Sequence, residues 1–399
     1  MVTLEEIQAA AARVAPILRE TALTQVHSVS TAVGREVWVK QEQLQRTGSY
    51  KIRGAYNFIS QLPSDVRVVA ASAGNHAQGV ALASKLTGHQ AEIYMPRRAS
   101  LPKVEATEGY GANIHLVNGD LEDCVREARM HGESDNSVFV PPFDHPHIIA
   151  GQGTLGLELA RDLPDSIEAV VIPVGGGGLI SGVATALKAL RPSINVIGVE
   201  ATGAPTMTRS LREGRPIRLE QTATMADGIA MREVSELTLQ HVQRYVDNLV
   251  LVTEEEMSHA LLLLLERAKA VVEPGAATSL AAVMAGEVPG SGAVCAVLSG
   301  GNVDPVLLMN LIDHGLTASG RYFAVRIIIA DAPGALAAIT AMVAEMGMNI
   351  IDIEHHRSGH HLETAKVEIV ITLETRDRRQ QELFLRSLED KGITAELED

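Results

Sequence analysis

Apolar residues along this chain fall in short, nearly continuous runs separated by stretches of helical periodicity. Residues 68–71, 92–95, 114–117 and 138–140 read as strands, and the alternation resumes at 169–174, 194–200 and 293–298. Runs rich in Val, Ile and Ala with helices between them predict an α/β fold whose parallel sheets are covered on both faces. Upstream, residues 4–19 read as a helix and 37–40 as a short strand. A later helix is expected over 254–270, where Thr253 and Glu256 have capping-box spacing. The pattern changes after residues 314–321, a Gly- and Ser-containing stretch that reads as a linker. Beyond it come a strand at 322–330, a helix at 335–346, strands at 349–354 and 365–373, a helix at 376–391 and a strand at 393–397. That βαββαβ order over residues 322–399 predicts a small ferredoxin-like α+β module.

Composition narrows the function. Of 399 residues, 46% are hydrophobic and 21% charged, which excludes global disorder. Lys and Arg number 34 against 49 Asp and Glu, a net charge of −15. A duplex nucleic-acid binder needs a basic face, so no nucleic-acid partner is expected. A phosphate ligand stays possible, because backbone N–H groups can hold one. Cys124 and Cys295 form no disulfide scaffold, and no cysteine–histidine metal spacing occurs. No apolar stretch of about 18 residues suggests a membrane span. The acidic start lacks the basic and apolar regions of a secretory signal, so a cytoplasmic location is expected.

Three glycine-containing segments punctuate the α/β part. They are Ser49-Tyr50-Lys51-Ile52-Arg53-Gly54-Ala55, Ser72-Ala73-Gly74-Asn75-His76-Ala77-Gln78-Gly79, and Pro173-Val174-Gly175-Gly176-Gly177-Gly178-Leu179. The third follows an expected strand and opens a helix. Four glycines there can turn N–H groups onto one phosphate, and the helix dipole adds positive potential. No P-loop pattern is present, which excludes that type of NTPase. A glycine phosphate cup plus a lysine in a separate glycine-bounded segment suggests a phosphate-bearing aldehyde held as a Schiff base. Gly151-Gln152-Gly153-Thr154-Leu155-Gly156 also fits a dinucleotide fingerprint, but no clean strand precedes it, so it reads as a helix beside the pocket. His355, His356, His360 and His361 flank a Ser-Gly turn and read as a solvated hairpin tip rather than a metal site.

The three segments, in this order, resemble the fold-type II pyridoxal-phosphate enzymes, and within them the threonine and serine dehydratases. Glu273-Pro274 and Ser299-Gly300-Gly301-Asn302 complete the match over about residues 5–312. The resemblance implies a catalytic domain at 1–313, with a large lobe (1–40 and 150–313) and a small lobe (41–149). It implies pyridoxal 5′-phosphate as cofactor, with Lys51 bonded to its aldehyde and later handling the substrate Cα proton. Asn75 then meets the 3′-oxygen, Gly175, Gly176, Gly177, Gly178 and Leu179 bind the phosphate, and Ser299 faces the ring nitrogen. Gly228 and Glu273 line the cofactor, while Ser72, Ala73, Gly74, Asn75 and His76 form the substrate carboxylate pocket. A neutral Ser at the ring nitrogen makes a weaker electron sink than a protonated ring, which favours rapid β-elimination. The implied reaction is deamination of L-threonine to 2-oxobutanoate and ammonia, with L-serine to pyruvate as a side activity.

Departures from the family pattern sharpen this expectation. Tyr50 stands where the dehydratases have Phe. Serine racemases carry Ser where this chain has Ala73, and without that hydroxyl deamination is favoured; racemisation or another β-hydroxy amino-acid lyase activity stands as the enzyme alternative. An amino-acid sensor on the same fold is the non-enzyme alternative. Glu200 aligns with a divalent-cation ligand of some relatives, but Thr206 falls near the second, so no metal is predicted. Residues 322–399 resemble an ACT domain through Asp331-Ala332-Pro333-Gly334-Ala335-Leu336 and Gly347-Met348-Asn349-Ile350. That implies an amino-acid effector near Ala332, Gly334, Leu336 and Asn349, and a homodimer or homotetramer.

Overall fold

The structure, a computed structural model, describes residues 1–132, 136–357 and 365–397. The chain divides into two compact units, Met1–Pro305 and Val306–Asp399. In the first, strands β1 (Leu23–Gln25) and β2 (Val37–Gln41) come early. Strands β3 (Arg67–Ala71), β4 (Ala91–Pro96), β5 (Asn113–Val117) and β6 (Ser137–Phe139) then form a parallel sheet of order β5-β4-β3-β6. Strands β7 (Ile167–Pro173), β8 (Asn195–Ala201), β9 (Asn248–Val252) and β10 (Ala293–Leu298) return to the larger sheet, of order β1-β2-β10-β7-β8-β9. It is parallel except for its antiparallel edge strand β1.

Every residue of β10 is buried, as is all of β7 except Glu168. Strands covered by helices on both faces need apolar side chains in both directions, hence their continuous rather than alternating pattern. The core around β7, β8 and β10 includes Val170, Ile172, Val196 and Val297, packed on Leu155, Ile180 and Val183 of the covering helices. A separate core under the smaller sheet gathers Ile52, Phe58, Val68, Ala77, Val80 and Ile93. The Gly151–Gly156 segment lies inside the helix Pro146–Asp162. A Cβ on Gly151 would sit 2.6 Å from Gly54 Cα, and one on Gly182 would sit 2.5 Å from Gly153 N. These glycines let neighbouring helices approach backbone to backbone.

Some boundaries differ from expectation. The first helix runs Leu4–Val14 rather than to 19, because Pro16 has no N–H to continue it. The capping box of Thr253 and Glu256 forms, but the regular helix is Glu254–Leu263, followed by a wider turn over Leu264–Ala268. The linker expected at 314–321 is largely helical: Pro305–Ala318 is continuous through Gly315. That helix stops at Gly320, whose φ of 73° lets Arg321 N–H reach back to Leu316 O and Gly320 N–H to Thr317 O.

The second unit carries β11 (Tyr322–Ala330), β12 (Asn349–His356), β13 (Lys366–Glu374) and β14 (Thr394–Leu397). They form an antiparallel sheet of order β12-β13-β11-β14. Alternation in β11 buries Phe323, Val325, Ile327 and Ile329 on one face. They pack with Ile339 and Val343 from the helix Ala335–Glu345 and Phe384 and Leu388 from Arg378–Asp390. His355 and His356 are exposed on β12, with His356 Nε2 3.0 Å from a Glu354 carboxylate oxygen. His360 and His361 lie outside the described residues. Among the described residues, no helix is long and apolar enough to cross a membrane.

Candidate active site

Lys51 is the first residue of the helix Lys51–Ile59. Its position is set by the loop after β10, over two hundred residues away. Tyr50 N–H donates to Ser299 O (3.1 Å), Gly301 N–H donates to Gly48 O (2.9 Å), and Ser49 bridges Gly300. Thr47 and Gly48 both take left-handed conformations (φ 62° and 67°) to turn the chain into this contact. The Lys51 Nζ donates to Pro142 O at 2.8 Å. Burial draws its pKa down to about 8, while the Glu273 carboxylate opposes the shift. A useful fraction of the amine is therefore neutral, and thus nucleophilic, near physiological pH.

The residue after Pro142 shapes the glycine run. A Cβ on Gly176 would lie 2.3 Å from the Phe143 ring, and one on Gly178 would lie 2.8 Å from Phe143 Cβ. On the other flank, a Cβ on Gly175 would lie 2.9 Å from Ile229 Cα. Gly177 has φ 87° and heads the helix Gly178–Leu190 without any side-chain cap. The first N–H groups of that helix thus have no partner within it, and the N-cap residue, Gly177, gives them no side-chain hydrogen bond. A cup of backbone N–H groups fits an anionic tail, and the Lys51 amine fits an aldehyde. The residues present therefore suit pyridoxal phosphate.

The rest of the pocket closes through Glu273, the N-cap residue of the helix Pro274–Met284. Asn75 opens the helix Asn75–Thr87, and its Nδ2 donates to both Glu273 carboxylate oxygens (2.7 and 2.9 Å). Burial raises the Glu273 pKa to about 7 against the stabilising Asn75 bonds. A Cβ on Gly228 would stand 3.5 Å from Glu273 Oε1. Ser299, at the end of β10, is buried. Ser72 Oγ accepts from Gly74 N–H at 3.1 Å, and Gly74 heads its helix without a side-chain cap. His76 is buried with Nε2 3.0 Å from Val140 O. Burial and the nearby Lys51 charge lower its pKa to about 3, so the ring stays neutral.

Contacts thus tie Lys51 through Pro142 and Phe143 to the glycine run, and tie that run through Ile229 and Gly228 to Glu273 and Asn75. Sequence reasoning did not find Pro142 and Phe143; an aromatic after a Pro-Pro pair was the available signal. It also did not find the ion pair between Lys103 Nζ and Asp227 Oδ2 (2.6 Å), which joins the helix Leu101–Gly109 to the residue before Gly228. Glu200 is buried and accepts from Met207 N–H (2.7 Å) and from the Thr208 N–H and hydroxyl (2.9 and 2.7 Å), so it caps the helix Thr206–Glu213. In the second unit, Ala332 and Gly334 are exposed, Leu336 is half-buried, and Asn349 Nδ2 lies 3.4 Å from Glu374 Oε2.

The lowered lysine pKa has a kinetic consequence. Only the neutral amine attacks an aldehyde, so the rate of pyridoxal-phosphate uptake by cofactor-stripped protein should rise with pH and level off above about 8. A stopped-flow absorbance series across pH checks this. A plateau only above about pH 10, where an ordinary lysine deprotonates, would contradict it.

Known proteins place this geometry. The sequence profile of the pyridoxal-phosphate dependent enzymes matches residues 14–300, and that of the ACT domain matches 323–392, so the chain belongs to the pyridoxal-phosphate dependent enzyme family and carries an ACT domain after its catalytic unit. It is 45% identical to the L-threonine ammonia-lyase of Thermotoga maritima over 396 residues, 98% of each chain. The crystal structure of the T.th. threonine deaminase is 39% identical, with TM-score 0.72, covering 76% of this chain and 99% of that one. The structure of maize serine racemase is 35% identical, with TM-score 0.74, covering 79% of this chain and 98% of that one.

Proposed function

We propose that the protein is an L-threonine ammonia-lyase, converting L-threonine to 2-oxobutanoate and ammonia, with L-serine to pyruvate as a side activity. The observation that carries this reading is the site around Lys51: a half-buried amine with a lowered pKa beside an uncapped glycine cup, in a chain 45% identical to a lyase of that name over 98% of its length. The cofactor, when bound, supplies an electron sink that lets an amino-acid Cα–H bond break. Lys51 Nζ carries the Cα proton. N–H groups from Gly175 to Leu179 hold the phosphate, and Ser299 offers the ring nitrogen a neutral partner. Asn75 donates to the 3′-oxygen, and Gly228 and Glu273 complete the cofactor wall. Ser72 to His76 present the start of a helix to the substrate carboxylate, a favourable place for an anion. Ala73 has no hydroxyl to return a proton to the opposite face of Cα, which favours elimination over racemisation.

Assay of the purified holoenzyme for 2-oxobutanoate from L-threonine tests the proposal. D-serine forming from L-serine faster than pyruvate would favour the racemase alternative. Effector binding without turnover of either amino acid would favour the sensor.

The second unit reads as the regulatory part of a cytoplasmic homo-oligomer, sensing an amino acid near Ala332, Gly334, Leu336 and Asn349. Gly334, at φ 90°, heads the helix Ala335–Glu345 without a side-chain cap and offers N–H groups to a carboxylate. Asn349→Ala should weaken the response to branched-chain amino acids about tenfold while leaving unregulated turnover intact. An unchanged dose response would remove Asn349 from the effector site.

A further inference from the structure

We infer that Asn302 is a positioning residue: it fixes which end of the Asn75 amide faces the cofactor pocket. The argument starts from a group whose polarity is certain. A backbone carbonyl can only accept, and Asn302 Nδ2 donates to Thr47 O at 2.7 Å. That bond decides the orientation of the Asn302 amide. Its second N–H then points at Asn75, where it finds Oδ1 at 2.7 Å. With its oxygen engaged, Asn75 has only its NH2 group left for the pocket, where that group donates to Glu273. Two amides in series thus pass the polarity of Thr47 O into the site, and the pocket presents a donor at that point.

The surrounding backbone is built to hold this relay. Thr47 sits at φ 62° and Gly48 at φ 67°. A Cβ on Gly48 would lie 2.4 Å from Asn302 Oδ1, so no other residue leaves room for the amide there. Asn302 also has Gln78 Oε1 at 3.4 Å, the weaker of its contacts. The Ser299–Asn302 loop therefore does more than place a serine. Its last residue orders the start of the helix carrying Asn75. The consequence concerns an acceptor at the cofactor 3′-oxygen and rests on the assignment of Asn75 to that atom. A donor there stabilises negative charge on the oxygen, and a reversed amide would oppose it.

Asn302→Asp tests this with almost no change in shape. A carboxylate cannot donate to Thr47 O or to Asn75 Oδ1, so Asn75 turns its nitrogen away from the pocket. In purified holoenzyme, Asn302→Asp should displace the pH transition of the bound-cofactor absorbance relative to wild type. It should also lower kcat by roughly 10- to 100-fold with little change in KM. Asn302→Ala, which removes the donor without adding an opposing charge, should displace it less. In an Asn75→Ala background, either Asn302 substitution should have an effect below about twofold, because the residue it acts through is gone. Should Asn302→Asp not fold, the alanine cycle gives the same comparison. A wild-type absorbance transition in Asn302→Asp (in Asn302→Ala where only the alanine cycle can be read), or effects of Asn302 and Asn75 that multiply in full, would overturn the inference. The absorbance cycle needs no amino-acid substrate, so its outcome is separate from whether threonine is the substrate.

Discussion

Lys51→Ala should abolish covalent attachment of pyridoxal phosphate and lower turnover at least about 10³-fold, the combined loss of the nucleophile and the proton carrier. Three features single out this amine. It is held by Pro142 O at 2.8 Å, its pKa is drawn to about 8, and the glycine cup is joined to it through Phe143. Borohydride reduction followed by peptide mass analysis reads the bond directly. Wild type should carry the added mass on the peptide containing residue 51, and the variant should carry none. Stability should change little, because removing a partly desolvated amine leaves only Pro142 O short of a partner. A cofactor adduct at the same yield in Lys51→Ala would show that another side chain does this work.

Arg53→Met should destabilise the catalytic unit by about 3–5 kcal/mol, although it lies two residues from Lys51 and touches no reacting atom. Arg53 is fully buried and grips Glu42 with two bonds, Nε to Oε2 at 2.7 Å and Nη2 to Oε1 at 2.8 Å. Its Nη1 reaches Thr154 Oγ1 (3.0 Å) and Glu158 Oε1 (2.7 Å). Lys40 Nζ closes the other side, 2.8 Å from Glu158 Oε2 and from Thr21 O. Two cations and two carboxylates thus neutralise one another. Burial alone would raise the Glu158 pKa, yet Arg53 and Lys40 hold it below the usual range. Methionine would leave Glu42 with Thr21 alone, a buried carboxylate without a cation. Denaturant unfolding measures the loss. Arg53→Lys should lose less, since it keeps the charge but not the two-pronged grip. A midpoint shift equivalent to under about 1 kcal/mol in Arg53→Met would contradict this account.

Much of the architecture was legible because buried parallel strands announce themselves as apolar runs. Residues 68–71, 92–95 and 293–298 were found for that reason, as was the alternating strand of the second unit. Strand β1 was not, since three residues at an antiparallel edge, none of them buried, carry no pattern. Residues 314–321 read as a break because of Gly315 and the small residues around it, whereas they are largely helical: the helix runs to Ala318 and the left-handed turn follows at Gly320. The glycine-marked segments stood out in the sequence, and the structure sets them at the starts of the helices Lys51–Ile59, Asn75–Thr87 and Gly178–Leu190. What Phe143, Asn302 and the Lys40–Glu42–Arg53–Glu158 set do was not legible, although Asn302 and Arg53 lie in quoted motifs and Phe143 follows a Pro-Pro pair. Their roles depend on partners tens to hundreds of residues away, and a lone charged residue in an apolar strand such as β2 looks like an edge rather than a core.

Strand β2 lies in parallel beside β10, and Tyr50 N–H bonds to Ser299 O. During synthesis, then, Lys51 emerges early and waits. About 250 further residues must leave the ribosome before its mooring exists, and closing so large a loop is slow. Holoenzyme assembly is therefore a late step in the life of a nascent chain.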